Sequence, residues 1–279
     1  LVFIYFNLKI EGFFSNFLFV NDSGSCVLKI SLIFFCILAL FFIGRSFSLQ
    51  HINFFEYFSV FLLSLLGLLL LINASDILSA YLIIEMQALC FYILASFKRN
   101  SSFSTEAGLK YFISGSFISG IFLLGASLIY GCLGTLNFNL LNWLLSFDFS
   151  PEFLFLKMLV ITGILLITFT LFFKVAAAPF HFWSPDVYEG APLASTIIFS
   201  IIPKVSLFIF FIRWIFAIST FFLDIKVLFI LIAILSAFFG TFFALRQKRV
   251  KRLIIYSSIA QVGFLIAPFY TLTVDGFSY

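Results

Sequence analysis

The chain has 279 residues, of which 63% are hydrophobic and 10% are charged, and its formal net charge is +4. The mean hydropathy of +1.21 excludes a soluble domain, because a chain of this length cannot bury so much apolar surface in its own core. The small positive charge lies between the apolar runs, which excludes nucleic acid as a partner. The composition therefore predicts an all-α, polytopic transmembrane protein.

Eight apolar windows follow one another along the chain, separated by short polar segments. Each is long enough for a helix that crosses the hydrocarbon core of a bilayer. The fifth window is longer than one straight span needs, and its Pro179 removes a backbone donor, so we expect a broken or bent helix there. The predicted spans are residues 26–44, 55–73, 77–97, 107–131, 153–181, 193–216, 223–245 and 253–270.

The segments outside these spans predict the topology. Residues 1–25 are interrupted by polar side chains, and we predict that they lie at the outer membrane interface as a short hairpin. Asparagines and Trp143 between Cys132 and Glu152 indicate an interfacial amphipathic segment. Basic residues occupy alternate loops, so the positive-inside rule places the basic side in the cytoplasm or mitochondrial matrix. They are Arg45, Lys98, Arg99, Arg246, Lys248, Arg249, Lys251 and Arg252.

Cysteine and phenylalanine usage points to packing rather than chemistry. Cys26, Cys36, Cys90 and Cys132 lack the spacing of metal ligands, and we expect small core residues. We interpret the 46 phenylalanines as lipid-facing side chains that replace Leu, Val and Ile, and we attribute their number to drift in an AT-rich genome. Together with a first residue other than methionine, they favour an organelle gene.

Glu85 lies near the middle of the third window, about 12 Å from either end of the predicted helix. A carboxylate at this depth must be protonated or paired. One interpretation is a neutral carboxyl group that is hydrogen-bonded to a neighbouring helix. The other is an ion pair with a buried lysine.

Two lysines are candidates for that pairing. Lys174 lies in the fifth window, and Lys204 follows Pro203 in the sixth, too deep for its side chain to reach water. Burial disfavours the charged form of a lysine or a glutamate, whereas mutual attraction favours it, so separating such a pair promotes proton release. The residues therefore predict a proton switch, and a static ion pair that joins helices is the alternative.

Several other titratable residues have a functional and a structural interpretation. His181 lies seven residues after Lys174, on the same face if the helix is regular, and either relays protons or fills a packing position. Asp186 and Glu189 are interpreted as loop or capping residues on the basic side. The range 246–252 is interpreted as a solvated topology signal without a catalytic role.

Glu106 and Lys110 stand four residues apart in the orientation that favours a helical ion pair. We expect an exposed or interfacial pair at the start of the fourth span.

Four segments together resemble the antiporter-like membrane subunits of respiratory complex I. The most specific extends from Phe173-Lys174 to Pro192 and contains the run Pro179-Phe-His181-Phe-Trp-Ser-Pro-Asp-Val-Tyr-Glu-Gly-Ala-Pro192. The resemblance implies inverted repeats of five helices with one discontinuous helix each, the first at about 55–216 and an incomplete second at about 223–279. The other segments are Leu82-Ile-Ile-Glu85-Met-Gln, Glu106-Ala-Gly-Leu-Lys110-Tyr and Lys251-Arg-Leu-Ile-Ile-Tyr256-Ser-Ser-Ile-Ala-Gln.

The resemblance also implies a function. Glu85 matches the membrane glutamate of the family, Lys174 the lysine beside the broken helix, and Lys204 the lysine of the central polar axis. It implies a proton-translocating, non-redox subunit of NADH:ubiquinone reductase, with no cofactor bound by this chain. NADH, FMN, iron–sulfur clusters and ubiquinone belong to other parts of that complex. The implied partners are other membrane-arm subunits and lipids in the mitochondrial inner membrane, with plastid thylakoid and bacterial inner membranes as alternatives.

Against the family pattern, two helices before the first span and most of the second repeat are missing. A fragment, a reduced subunit and a split subunit are the three explanations. We expect a split subunit, with a companion chain that packs beside 223–245 and 253–270 and brings an intramembrane lysine.

Two alternative functions remain. A structural scaffold would tolerate Gln at position 85 and Met at position 204, with assembly as the only sensitive property. A stand-alone sodium/proton antiporter subunit would purify without flavin and iron–sulfur subunits. An independent redox enzyme is the least favoured hypothesis, because the sequence has no haem, flavin, nucleotide or cluster motif.

Overall fold

The computed structural model describes residues 12–14, 18–50, 54–147, 154–219 and 221–270. In this part of the chain, eight helices are long and apolar enough to cross a membrane. They match the eight predicted windows, because a run of about twenty apolar residues can satisfy its backbone in lipid only as a helix. The all-α polytopic architecture is therefore confirmed.

A small antiparallel hairpin precedes the helices, within the segment predicted as a hairpin. Its strands are β1 (Gly12–Phe14) and β2 (Phe19–Asn21). The α-helices of the described residues are α1 (Ser23–Gln50), α2 (Phe54–Asn73), α3 (Ile77–Ala95), α4 (Ser102–Leu133), α5 (Phe138–Leu145), α6 (Leu154–Val175), α7 (Trp183–Gly190), α8 (Leu193–Ala217), α9 (Phe222–Leu245) and α10 (Val250–Ile266), followed by a 3-10 turn at Ala267–Tyr270.

Helices α3 and α8 lie at the centre of the packing. The buried apolar side chains form two clusters, and both helices contribute to each cluster. One cluster joins them to α4, α6 and α9, and the other joins them to α1, α2 and α7. These two helices are also the most buried of the eight candidate spans. Each has a charged residue near its middle, Glu85 in α3 and Lys204 in α8.

The fifth predicted window contains a discontinuous helix, as expected. Helix α6 closes with hydrogen bonds of 2.9 Å from the Ala176 amide to the Phe173 carbonyl and from the Ala177 amide to the Phe172 carbonyl. This is a Schellman motif, and Ala176 has the left-handed backbone (φ 63°) that the motif requires. Pro179 disfavours a helical conformation of the residue before it, so the helix does not resume until α7.

The structure corrects one loop prediction and refines another. Asp186 and Glu189 lie in helix α7 rather than in a loop. The loop predicted as amphipathic contains α5, which buries Phe138 and Leu141 and exposes Trp143. An amphipathic element is therefore confirmed there. The four cysteines are free, and three of them are buried, as predicted for small packing residues.

Candidate functional site

Lys174 lies in the last turn of α6, beside the break. The C-terminus of a helix carries partial negative charge, which attracts the Lys174 side chain when that side chain is charged. Trp183, the first residue of α7, donates from Nε1 to the Phe173 carbonyl at 3.1 Å. Its ring also stacks on Tyr111 with a centroid distance of 4.9 Å. Trp183 therefore joins the two halves of the broken helix next to Lys174.

Glu85 is partly buried in the middle of α3. Its Oε2 atom is buried and has no hydrogen-bond partner. The carboxyl group is close enough to Lys174 for the two charges to interact. The ion pairs of the described residues nevertheless include neither residue. The two residues thus form a separated pair, in which a small movement of either side chain changes the attraction.

Lys174 and Lys204 line the same interior cavity, between α3, the break and α8. This inner cavity has a volume of about 20 Å³, which suits about one water molecule. Gln87 and Tyr111 also line it, and Gln87 has a buried Oε1 atom without a hydrogen-bond partner. Buried polar atoms of this kind are usually satisfied by water. The site therefore offers a polar, water-sized space between the two lysines.

Lys204 lies one residue after a proline inside α8. Pro203 cannot donate to the Phe199 carbonyl four residues earlier, and the Tyr188 hydroxyl donates to that carbonyl instead, at 3.2 Å. The Lys204 Nζ atom donates to Ser258 Oγ of α10 at 3.1 Å. Lys204 is thus connected to the inner cavity on one side and to α10 on the other.

His181 is not among the residues that line the inner cavity with the two lysines. The prediction of a shared helix face with Lys174 required a regular helix, and α6 ends before Ala176. The imidazole stacks on Phe182 at 4.6 Å and lies 6.2 Å from the ring of Phe239 in α9. Its Nδ1 atom is buried without a hydrogen-bond partner. A role of His181 as a proton relay stays a prediction, directed toward α9 rather than toward Lys174.

Charged side chains join α4 to α7 on the basic side. The predicted pair within α4 is confirmed, with a distance of 2.8 Å between Lys110 Nζ and Glu106 Oε1. Lys110 Nζ also lies 3.4 Å from Asp186 Oδ2 of α7. All three side chains are substantially exposed. The pairs therefore contribute little to the free energy of unfolding and mainly orient α7 against α4.

Glu189 connects α7 to the start of α10. Its carboxylate accepts hydrogen bonds from both Arg249 and Arg252. Burial alone would raise the pKa of Glu189, but these hydrogen bonds and the arginine charges outweigh it and hold the pKa below its ordinary value. The prediction that residues 246–252 are only a solvated topology signal is therefore incomplete, because two of their arginines hold α7 in place.

Sequence reasoning missed several residues of the site. Gln87, Trp183, Tyr188 and Ser258 lie inside the quoted motifs, yet none was a candidate. Residue type alone did not identify them, because the role of each residue depends on where it lies in the packed structure. Trp183 donates to the Phe173 carbonyl at the break, Tyr188 donates to the Phe199 carbonyl, and Ser258 accepts from Lys204. Gln87 lines the inner cavity.

Fold and site define a polytopic membrane protein in which two lysines of the spanning helices line one small interior cavity, with a carboxyl group within electrostatic range of one of them. The family described as "NADH:quinone oxidoreductase/Mrp antiporter, TM" matches residues 74–279, and the chain belongs to this family.

Relatives agree with the match. "NADH-ubiquinone oxidoreductase chain 2" of Marchantia polymorpha is 44% identical over 82% of this chain and 47% of its own length. "NADH-quinone oxidoreductase subunit N" of Pelagibacter ubique is 37% identical over 92% of this chain and 53% of its own. A chain of "Respiratory complex I from Thermus thermophilus with bound Aureothin" superposes with a TM-score of 0.75 and 28% identity, over 97% of this chain and 56% of that one.

The chain thus spans about half the length of the curated relatives it matches. Their names confirm the resemblance noted from the motifs, whose pattern is most similar to chain 2 and its bacterial counterpart, subunit N.

Proposed function

We propose that the chain is a proton-translocating membrane-arm subunit of NADH:quinone oxidoreductase. The observation that carries the proposal is the inner cavity, which Lys174 and Lys204 line together while Glu85 lies within electrostatic range. Family membership and the names of the relatives support the assignment to this complex.

The separated pair provides the switch. When Glu85 is ionised and near Lys174, its charge and the end of α6 both favour the ammonium form of the lysine. Movement of the carboxylate away removes part of that attraction, and burial then favours release of the proton into the inner cavity. Lys204 is the next acceptor, because its protonated form is stabilised by Ser258 Oγ. Repulsion between two ammonium groups across a small cavity keeps both from being charged together.

The redox chemistry takes place in other subunits under this proposal. NADH, FMN, iron–sulfur clusters and ubiquinone are bound there, and this chain binds none of them. The other membrane-arm subunits are its partners, and the mitochondrial inner membrane is its location. Energy reaches Glu85 through neighbouring membrane charges as electrostatic and hydration changes.

A finer proposal concerns α9 and α10. Large apolar side chains of both helices are exposed, among them Ile234, Phe238 and Phe264. We propose that helices of a companion chain cover this face and bring a further intramembrane lysine. A photo-activatable residue at position 234 of the intact complex is expected to cross-link to another polypeptide. Cross-links to lipid alone would contradict the companion chain.

Lys174→Met in the intact complex tests the main proposal. The number of protons pumped per NADH oxidised is expected to fall, with assembly unchanged. Lys157→Met is the matched control, because Lys157 stands near the start of the same helix with its Nζ atom 5.5 Å from the Phe221 ring centroid. Equal pumping by the two assembled variants would contradict proton translocation through Lys174 and would favour the structural scaffold. Purification without flavin and iron–sulfur subunits would favour the sodium/proton antiporter.

A further inference from the structure

Helix α3 contains two buried polar groups that have no hydrogen-bond partner among the described residues and that lie on one face. One is the Glu85 Oε2 atom, and the other is the hydroxyl group of Tyr92. Tyr92 is only 6% exposed. A buried donor or acceptor without a partner lowers stability, so each such group in a native structure requires an explanation. A hydrogen bond that forms in a second position of the Glu85 side chain would explain both.

The side chain of Tyr92 extends toward Glu85. The two residues are seven apart in α3, which places them on the same face and about 10 Å from each other along the helix axis. The long side chains of a helix lean toward its N-terminus, and Glu85 lies on the N-terminal side of Tyr92. The hydroxyl group is within electrostatic range of the carboxylate.

The packing of α3 against α4 gives the same direction. Tyr81, in the first half of α3, contacts the ring of Phe122. The Tyr92 ring contacts Tyr111, with a centroid distance of 4.8 Å, so the two helices are antiparallel. The Tyr92 hydroxyl lies against Gly115, where a Cβ atom would clash with it. Because Gly115 is one turn beyond Tyr111, the hydroxyl points back along α3, and the missing side chain of the glycine makes room for it.

The ring of Tyr92 is held in place by other aromatic side chains. It meets the Tyr111 ring edge-on, at an interplanar angle of 86°, and Tyr111 stacks on Trp183 at the break. Glu85 has a flexible side chain, and its Oε2 atom makes no hydrogen bond that fixes it. The carboxylate is therefore the group that moves, with Lys174 and Tyr92 as its two possible partners.

We infer that Tyr92 is a positioning residue for Glu85 and that its hydroxyl donates a hydrogen bond to the carboxylate when this is turned away from Lys174. The inference rests on the proposed function and supplies the second position of its switch. The phenol keeps its proton, and its hydrogen bond to an ionised acceptor offsets the attraction that the carboxylate loses. Lys174 then has no anionic partner and releases its proton into the inner cavity. Without the hydroxyl, Glu85 stays with Lys174, and the lysine stays charged.

Two Tyr→Phe variants test the inference by their opposite effects. Tyr92→Phe removes a hydroxyl without a partner among the described residues, so the midpoint of unfolding of the purified chain by SDS is expected to stay the same or rise. The number of protons pumped per NADH oxidised by the intact complex is nevertheless expected to fall. Tyr57→Phe is the matched control, because it removes a buried hydroxyl that is bonded to Ser195 and does not line the inner cavity. It should lower the unfolding midpoint and leave the pumping ratio normal.

Gly115→Ala tests the same contact from α4, because the added Cβ atom displaces the Tyr92 hydroxyl. It is expected to lower the pumping ratio, whereas Gly120→Ala on the same helix, where nothing lies within 4 Å of a Cβ atom, should not. If Tyr92→Phe does not assemble, Gly115→Ala against Gly120→Ala decides the question.

Lys174→Met, measured alongside, separates the two proposals. A loss of pumping in Lys174→Met together with normal pumping in assembled Tyr92→Phe would overturn the role of Tyr92 and leave the proposed function standing. Normal pumping in assembled Lys174→Met would overturn both. An unfolding midpoint of Tyr92→Phe as low as that of Tyr57→Phe, or an equal loss of pumping in the two, would also overturn the role of Tyr92.

Discussion

Helices α4 and α6 are in close contact at Gly125 and Gly163. A side chain added at this contact is expected to lower the free energy of unfolding. A Cβ atom at Gly125 would lie 2.9 Å from the Gly163 carbonyl oxygen and 2.9 Å from Ile167 Cγ1. The carbonyl is fixed within α6, so Gly125→Ala has to push the helices apart. Overpacking of this kind costs about 1–3 kcal/mol.

Gly120 on the same helix provides the matched control. Nothing lies within 4 Å of a Cβ atom at Gly120, so Gly120→Ala is expected to stabilise α4 through helix propensity, by about 0.5–1 kcal/mol. The free energies of unfolding of the two variants should therefore differ by roughly 2–4 kcal/mol.

The assay is reversible unfolding of the purified chain in mixtures of mild detergent and SDS, followed by circular dichroism. Gly125→Ala should unfold at a lower SDS fraction than the unsubstituted chain, and Gly120→Ala at a higher one. Equal midpoints for the two variants would refute the close packing of α4 against α6. Under the proposed function, the same displacement should also weaken proton pumping in the complex, because α6 carries Lys174.

Three further predictions concern polar contacts. Tyr57→Phe removes the 3.1 Å hydrogen bond to Ser195 Oγ and should lower the free energy of unfolding by about 1 kcal/mol, measured in the same SDS assay; no change would mean that the contact is not formed. Glu106→Gln breaks an exposed pair with Lys110 and should leave the unfolding midpoint unchanged. The lowered pKa of Glu189 means that its charge stabilises the fold above the pKa of the unfolded chain, and that this contribution is lost as the pH falls through the folded value. The difference in thermal stability between the unsubstituted chain and Glu189→Gln should therefore shrink as the pH falls below about 4.3, the ordinary pKa of a glutamate, and a difference that stays constant through the acid range would contradict the pairing.

The spans were predictable because lipid leaves the backbone few choices. An apolar run of sufficient length has to form a helix, so windows such as 77–97 and 223–245 agree with α3 and α9 within two residues. The break was predictable from Pro179 and from the resemblance. The end of α6 at a left-handed Ala176 was not, because alanine carries no sequence signal for that conformation.

The site was predictable as a set of residue types and not as a geometry. A glutamate or lysine inside a span is costly wherever it lies, so Glu85, Lys174 and Lys204 could be selected from the sequence. The shared cavity of the two lysines depends on how α3, α6 and α8 pack, and sequence spacing does not contain that information. His181 is an example. Its seven-residue spacing from Lys174 places both on one face only in a regular helix, and α6 ends at Val175. The contacts of Arg249 and Arg252 with Glu189 were not predictable, because the basic cluster has the composition of an ordinary topology signal.

The most direct test of the central claim is the number of protons pumped per NADH oxidised by an assembled complex that carries Lys204→Met. Lys204 lines the inner cavity with Lys174 and donates to Ser258 of α10, so every proton on the proposed path passes through it. A lower ratio at full assembly is expected. A ratio equal to that of the unsubstituted complex would contradict the account.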